Sequence, residues 1–120
     1  MTEDPLAVAH EFGIAIEIAD LGEFYGRILI SEYDPDGPRI RVNSRALDRA
    51  AALAVDGPAW CDPSLLVRCA VAHEIYHHRE RLGTVVRHRE RADRERAADA
   101  FAKAMLDLNV DPSVIAEAIA

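Results

Sequence analysis

The chain has 120 residues, half of them apolar and 29% charged, and its 14 Lys and Arg against 21 Asp and Glu give a formal charge of −7. That length suits one domain around one core, without room for a second sizeable one, and the acidity argues against a general affinity for nucleic acid. No window reaches the roughly 18 uninterrupted apolar residues of a membrane span, and MTEDPLAVAHEF has acids where a secretory leader has bases, so a cytoplasmic protein without a membrane role is expected.

Asp4-Pro5 is a helix start signal, residues 6 to 12 have helical apolar spacing, and Gly13 suits a C-terminal cap. Residues 14 to 18 alternate with a period of two, and turn chemistry from Gly22 to Gly26 precedes a second run at 27 to 31. Asp34-Pro35-Asp36-Gly37-Pro38 is the strongest turn signal, after which alternation resumes at 39 to 43. The spacing predicts a three-stranded antiparallel meander. Ser44 is a candidate cap for a helix over 45 to 55, which Asp56-Gly57-Pro58 ends.

Asp62-Pro63 repeats the start signal, with aspartate at the N-cap and proline at the first helical position. Leu66, Cys69, Ala70, His73 and His77 follow at steps of three and four, which turns both histidines inward, and Gly83 marks the end. Residues 79 to 96 carry seven arginines against four acids, a local +3 that leaves −10 elsewhere. The stretch reads as a solvated loop and helix face, with recognition of an acidic partner as the alternative. A helix over 95 to 106 and a short one over 113 to 119 complete a single α+β domain, residues 1 to 120. Trp60, Phe101 and Met105 read as packing residues, His10 as an ordinary helix residue, and Cys61 and Cys69 as buried thiols.

His73-Glu74-Ile75-Tyr76-His77 has the pattern H-E-x-x-H. Histidines four residues apart on a helix stand one above the other, so both imidazoles can bind one metal ion, while Glu74 can reach a water on that metal and act as general base. A catalytic zinc takes three protein ligands, so a third is needed. Glu80 is less than a turn past His77, and Glu90 and Asp93 lie in a charged stretch without apolar pattern. Glu95, 18 residues after His77 at the start of the next long helix, is the better choice. Asp99, one turn on, is spaced to accept a hydrogen bond from a ligand imidazole, although it could instead pair with Lys103.

H-E-x-x-H followed by E-x-x-x-D resembles the gluzincin zinc peptidases. Ala72 to His78, with Glu95, Ala98, Phe101 and Ala102 in an E-x-x-A-x-x-F-A pattern, more closely resembles the ImmA/IrrE family. A short helix, then a small sheet ending in an Ile-x-Val-Asn strand, then the motif helix is also similar to that family's peptidase domain. The resemblance implies a zincin-like minimal metallopeptidase fold, with the small antiparallel sheet on a helical core. It implies Zn2+ and a cytoplasmic metalloendopeptidase that cleaves a partner protein, a transcriptional repressor. Tyr76 stands where the family usually has glycine, and the resemblance takes in no helix-turn-helix or sensory domain of the kind some members carry.

On this reading His73, His77 and Glu95 hold the metal, and Glu74 takes a proton from water and returns it to the leaving amine. A second oxyanion donor is needed, and Tyr76, His78, His88 and Tyr25 are candidates. His78 otherwise reads as a surface neighbour of the ligands, and His88 as solvated among arginines. Two further expectations compete with the peptidase. One is a zinc-containing module that inactivates its partner by binding alone. The other is a regulator touching nucleic acid through Arg79 to Arg96, which the overall acidity disfavours.

Overall fold

The computed structural model describes residues 3 to 58 and 60 to 120. In chain order it has α1 (Pro5–Glu11), β1 (Ala15–Ala19), β2 (Glu23–Phe24), β3 (Arg27–Ile28), β4 (Ser31–Asp34) and β5 (Arg39–Asn43), followed by α2 (Ser44–Ala54), α3 (Pro63–Leu82), α4 (Arg91–Leu106) and α5 (Pro112–Ile119). It is a small α+β domain with a mixed sheet. Aspartate followed by proline starts three of the helices. Asp4 accepts from the Leu6 N–H and Asp62 from the Ser64 N–H, each at 3.0 Å, satisfying amides that the first turn leaves unpaired. Asp111 has the same position before α5, but its carboxylate is taken by Lys103 at 2.8 Å.

The expected antiparallel meander is replaced by a sheet of order β1-β5-β4, in which β5 is antiparallel to β4 but parallel to β1. The second predicted strand is divided. Arg27–Ile28 folds back on Glu23–Phe24 as a separate hairpin, turned by Tyr25 at φ 52° and Gly26 at φ 76°, and the sheet strand begins only at Ser31. This hairpin carries the chain past β5, so β1 and β4 lie on opposite sides of it. Charge pairing suits that order. Arg41 on β5 reaches Glu17 of β1 at 3.4 Å and Glu32 of β4 at 2.9 Å, and Arg39 reaches Asp34 at 3.2 Å. Opposite charges on directly facing residues each favour the register.

The other face of β5 supplies Ile40 and Val42, both fully buried against Ala70, Val71 and Ile75 of α3 and Ala9 of α1. Asn43 ends β5 and is fully buried. Its Oδ1 accepts from Leu21 N and Arg45 N, both at 3.1 Å, and its Nδ2 donates to Gly22 O at 3.1 Å and Leu29 O at 2.7 Å. Asn43, rather than the expected Ser44, therefore caps α2 while tying down both connections of the small hairpin.

The central helix is α3, covered by the sheet and by α1, α2 and α4. Cys69, Ala72 and Ala102 pack together between α3 and α4, and their small side chains let the two helices approach closely. Gly83, at φ 77°, closes α3 in the left-handed conformation that glycine adopts without steric cost. Helix α4 starts at Arg91, one turn before the expected Glu95. Its first turn is fixed by Arg94, whose guanidinium donates to the carbonyls of His88 and Arg89, both at 3.0 Å.

Candidate metal centre

His73 and His77 lie one turn apart on α3, and their Nε2 atoms are 3.2 Å from each other. Helix α4 brings Glu95 to the same point. Its Oε2 is 2.9 Å from His73 Nε2 and its Oε1 3.2 Å from His77 Nε2. On the far side of each ring another carboxylate is in place: Asp99 Oδ1 accepts from His73 Nδ1 at 2.8 Å, and Glu80 Oε1 from His77 Nδ1 at 2.5 Å. Asp99 thus meets the imidazole rather than Lys103, which pairs with Asp111. With both Nδ1 atoms engaged, both Nε2 atoms face one another and Glu95.

Glu74 is buried beside them, and Ser31, the first residue of β4, donates to its Oε2 at 2.7 Å. The potential ligand atoms of His73, Glu74 and His77 all lie within 4.8 Å of one another, so this group could hold a metal ion. The donor chemistry fits zinc. Two imidazole nitrogens and a carboxylate 2.9 to 3.2 Å apart match a tetrahedral ion, whose bonds of about 2.0 to 2.1 Å set ligands roughly 3.3 Å apart.

Burial and neighbouring charges shift the proton affinity of each ionisable group in the site. Burial pushes the His73 imidazole down, but the hydrogen bonds to Asp99 and Glu95, with the charges of Glu74 and Glu95, outweigh it and raise the pKa to about 10. Burial also opposes ionisation of His77, which Glu95 and Glu80 nevertheless raise. Hydrogen bonds from the two histidines hold Glu95 far below the ordinary carboxylate range. Glu74 moves the other way, because desolvation raises it more than His73 and the Ser31 hydroxyl lower it. A carboxyl whose proton affinity is raised by burial suits proton transfer. Burial, then the charge of Asp99, pushes the Cys69 thiol up to about 12, so it stays protonated. Cys61 is likewise a buried free thiol.

The donors open into a cleft of about 960 Å³ bounded by β3 and β4, by α3 and α4, and by one face of α5 from Pro112 to Ala116. None of Tyr25, Tyr76, His78 or His88 lines it. Tyr25 is fully exposed in the small hairpin, and His88 is exposed before α4. Tyr76 lies outside the cleft, where its ring packs on Phe101 of α4 and its hydroxyl donates to Val86 O at 2.9 Å. The large side chain in the motif therefore does not narrow the cleft. It straps the segment after α3 onto that helix.

His78 corrects the expectation of a surface residue. It does face away from the metal ligands, but that side of α3 is covered by α1 and β4, so the ring is buried between Phe12 and Tyr33. Burial, then the Arg81 charge, lowers its pKa, burial raises that of Tyr33, and the Tyr33 hydroxyl and His78 Nδ1 are hydrogen-bonded at 2.6 Å. Sequence reasoning missed Tyr33, which lines the cleft, and the Glu80 contact to His77. A carboxylate three residues after a histidine on one helix face is the signal that could have found the last of these. Comparisons with protein-family models, with curated proteins and with solved structures give no match.

Proposed function

We propose that the chain is a zinc-dependent metalloendopeptidase acting on a partner protein. The observation that carries this reading is the convergence of His73 Nε2, His77 Nε2 and the Glu95 carboxylate within 3.2 Å, with Glu74 buried alongside and bonded to Ser31. His73, His77 and Glu95 would hold the metal, leaving Glu74 as the general base. Zinc in such a site supplies Lewis acidity, which polarises a carbonyl and acidifies water. Asp99 and Glu80 keep the two imidazoles in the tautomer that offers Nε2 and fix the ring planes. Glu74, with its proton affinity raised by burial, takes a proton from water and returns it to the leaving amine.

The substrate chain has a place to lie. Strand β4 is an edge of the three-stranded sheet, and Ser31, Glu32 and Tyr33 line the cleft. An extended peptide can add to an edge strand through main-chain hydrogen bonds, which serves an enzyme reading a segment of a protein. The likeness of the two motifs to the ImmA/IrrE family supports a transcriptional repressor as that protein. Glu74→Gln is the test. The variant keeps zinc by metal analysis and loses cleavage of a co-expressed repressor. Undiminished cleavage rejects the reading, and repressor inactivation that survives without cleavage favours a module acting by binding alone.

A further inference from the structure

We propose that the cleft selects peptide segments bearing acidic side chains, received by Arg81, Arg87, Arg91 and Arg94. The inference rests on the peptidase reading for the presence of a peptide in the cleft. The four arginines come from three successive pieces of chain: the end of α3, the segment before α4, and the first turn of α4. All four line the same cleft as the metal donors.

Their charge is not neutralised there. Among the described residues none of the four forms an ion pair with a carboxylate, and Arg94 is held by the backbone carbonyls of His88 and Arg89. The cleft also has carboxylates, but each has a partner other than these arginines. Glu32 pairs with Arg41, Glu74 accepts from Ser31, Glu80 and Asp99 accept from His77 and His73, and Glu95 lies between both imidazoles. Asp93, in the same turn as Arg94, pairs with Arg96.

Four guanidinium groups without a carboxylate partner, in a chain of net charge −7, set a local charge opposed to that of the whole molecule. Such a cleft concentrates ligands of matching charge, and guanidinium forks bind carboxylates in bidentate fashion. A nucleic acid backbone is less well served, since it needs basic surface along its length. Here the +3 of residues 79 to 96 is set against −10 over the rest of the chain.

The test uses the full-length Glu74→Gln protein with zinc and labelled 12-residue peptides, equal except that central Asp and Glu residues are replaced by Asn and Gln or by Lys. Fluorescence anisotropy should show the acidic peptide binding tightest. Arg87→Ala with Arg91→Ala, both at exposed positions, should weaken it by roughly 2- to 30-fold, as expected for two largely exposed charge pairs, and leave the neutral peptide nearly unchanged. Arg87→Glu with Arg91→Glu should shift the preference towards the lysine peptide. Equal affinity for acidic and neutral peptides, no binding of any peptide, or a preference that survives these substitutions overturns the inference. Tighter binding of a short DNA duplex through the same arginines overturns it too, and assigns the surface to nucleic acid. Cleavage by the unsubstituted enzyme is scored separately. Arginine-dependent acidic preference without cleavage sinks the peptidase reading alone, and cleavage without acidic preference sinks the inference alone.

Discussion

Glu80 Oε1 lies 2.5 Å from His77 Nδ1, and the other oxygen of the same buried carboxylate, Oε2, has no hydrogen-bond partner among the described residues. The placement makes Glu80 the counterpart of Asp99, one carboxylate for each imidazole. Removing a group of this kind typically costs about 10 to 100-fold in metal affinity. Glu80→Ala and Asp99→Ala should each lower zinc affinity within that range, as measured by competition with a chromogenic chelator. Glu80→Gln, which keeps an acceptor oxygen, should lose less. Wild-type affinity in Glu80→Ala would show that the contact does not orient His77 for metal.

Glu95 and Glu90 offer a sharper contrast, being five residues apart on one segment. Glu95 touches both imidazoles, whereas Glu90 is exposed at the N-cap of α4. Zinc content of purified Glu95→Ala should fall far below that of Glu90→Ala, which should match the unsubstituted protein. Equal content in the two variants would remove Glu95 from the metal site.

Metal binding should be tightly linked to pH. In the metal-free protein the His73 imidazole rises from its ordinary 6.5 to about 10, so its proton stabilises the fold fully below 6.5 and that contribution is lost as pH climbs through about 10. The melting temperature of the metal-free protein should therefore decline over that window. Zinc must displace the proton, so its affinity should rise with pH over the same range and at least one proton should be released near neutrality. Calorimetric titrations in buffers of different ionisation enthalpy measure that number, and a value of zero would contradict the ion-paired site.

Asn43 uses every hydrogen-bonding position that its amide has, in a fully buried setting. Asn43→Ala strands two N–H groups and two carbonyls. These partners are only partly buried, so the loss should be about 1 to 3 kcal/mol in all, the cost of one buried group left unsatisfied. Asn43→Asp should also destabilise, since a carboxylate can accept from Leu21 and Arg45 but cannot donate to Gly22 and Leu29. Urea denaturation checks both. A loss below about 1 kcal/mol in Asn43→Ala would mean that water replaces the amide.

What the sequence disclosed depended on how local the cause was. The limits of α3 follow from Asp62-Pro63 and Gly83, and the approach of Glu95 to the histidines from helical spacing with enough chain between for a return. Strand order is not local. It depends on Arg41 finding acids on both neighbouring strands, and on a hairpin whose four paired residues have no strong alternation. The burial of His78 was hidden for a similar reason. Helical periodicity tells which side of α3 a residue occupies, but what covers that side is decided by α1 and β4. Tyr76 gave no sign in sequence of a bond to a carbonyl ten residues further on.

The parallel pairing of β1 with β5 bears on the order in which the molecule assembles. Ala15 faces Arg39, so β1 is secured only after the chain has passed through the small hairpin, β4 and the tight turn at Asp34 to Pro38. By contrast β4 meets β5 across that turn, and α3 meets α4 across the short segment from 83 to 90. Short closures are the less costly and the earlier to form. The imidazoles and Glu95 all belong to the α3 and α4 pair, so a chain still lacking its first strand already has the parts of the site side by side. A cation captured at that stage would act as a fastener during folding as well as a reagent afterwards.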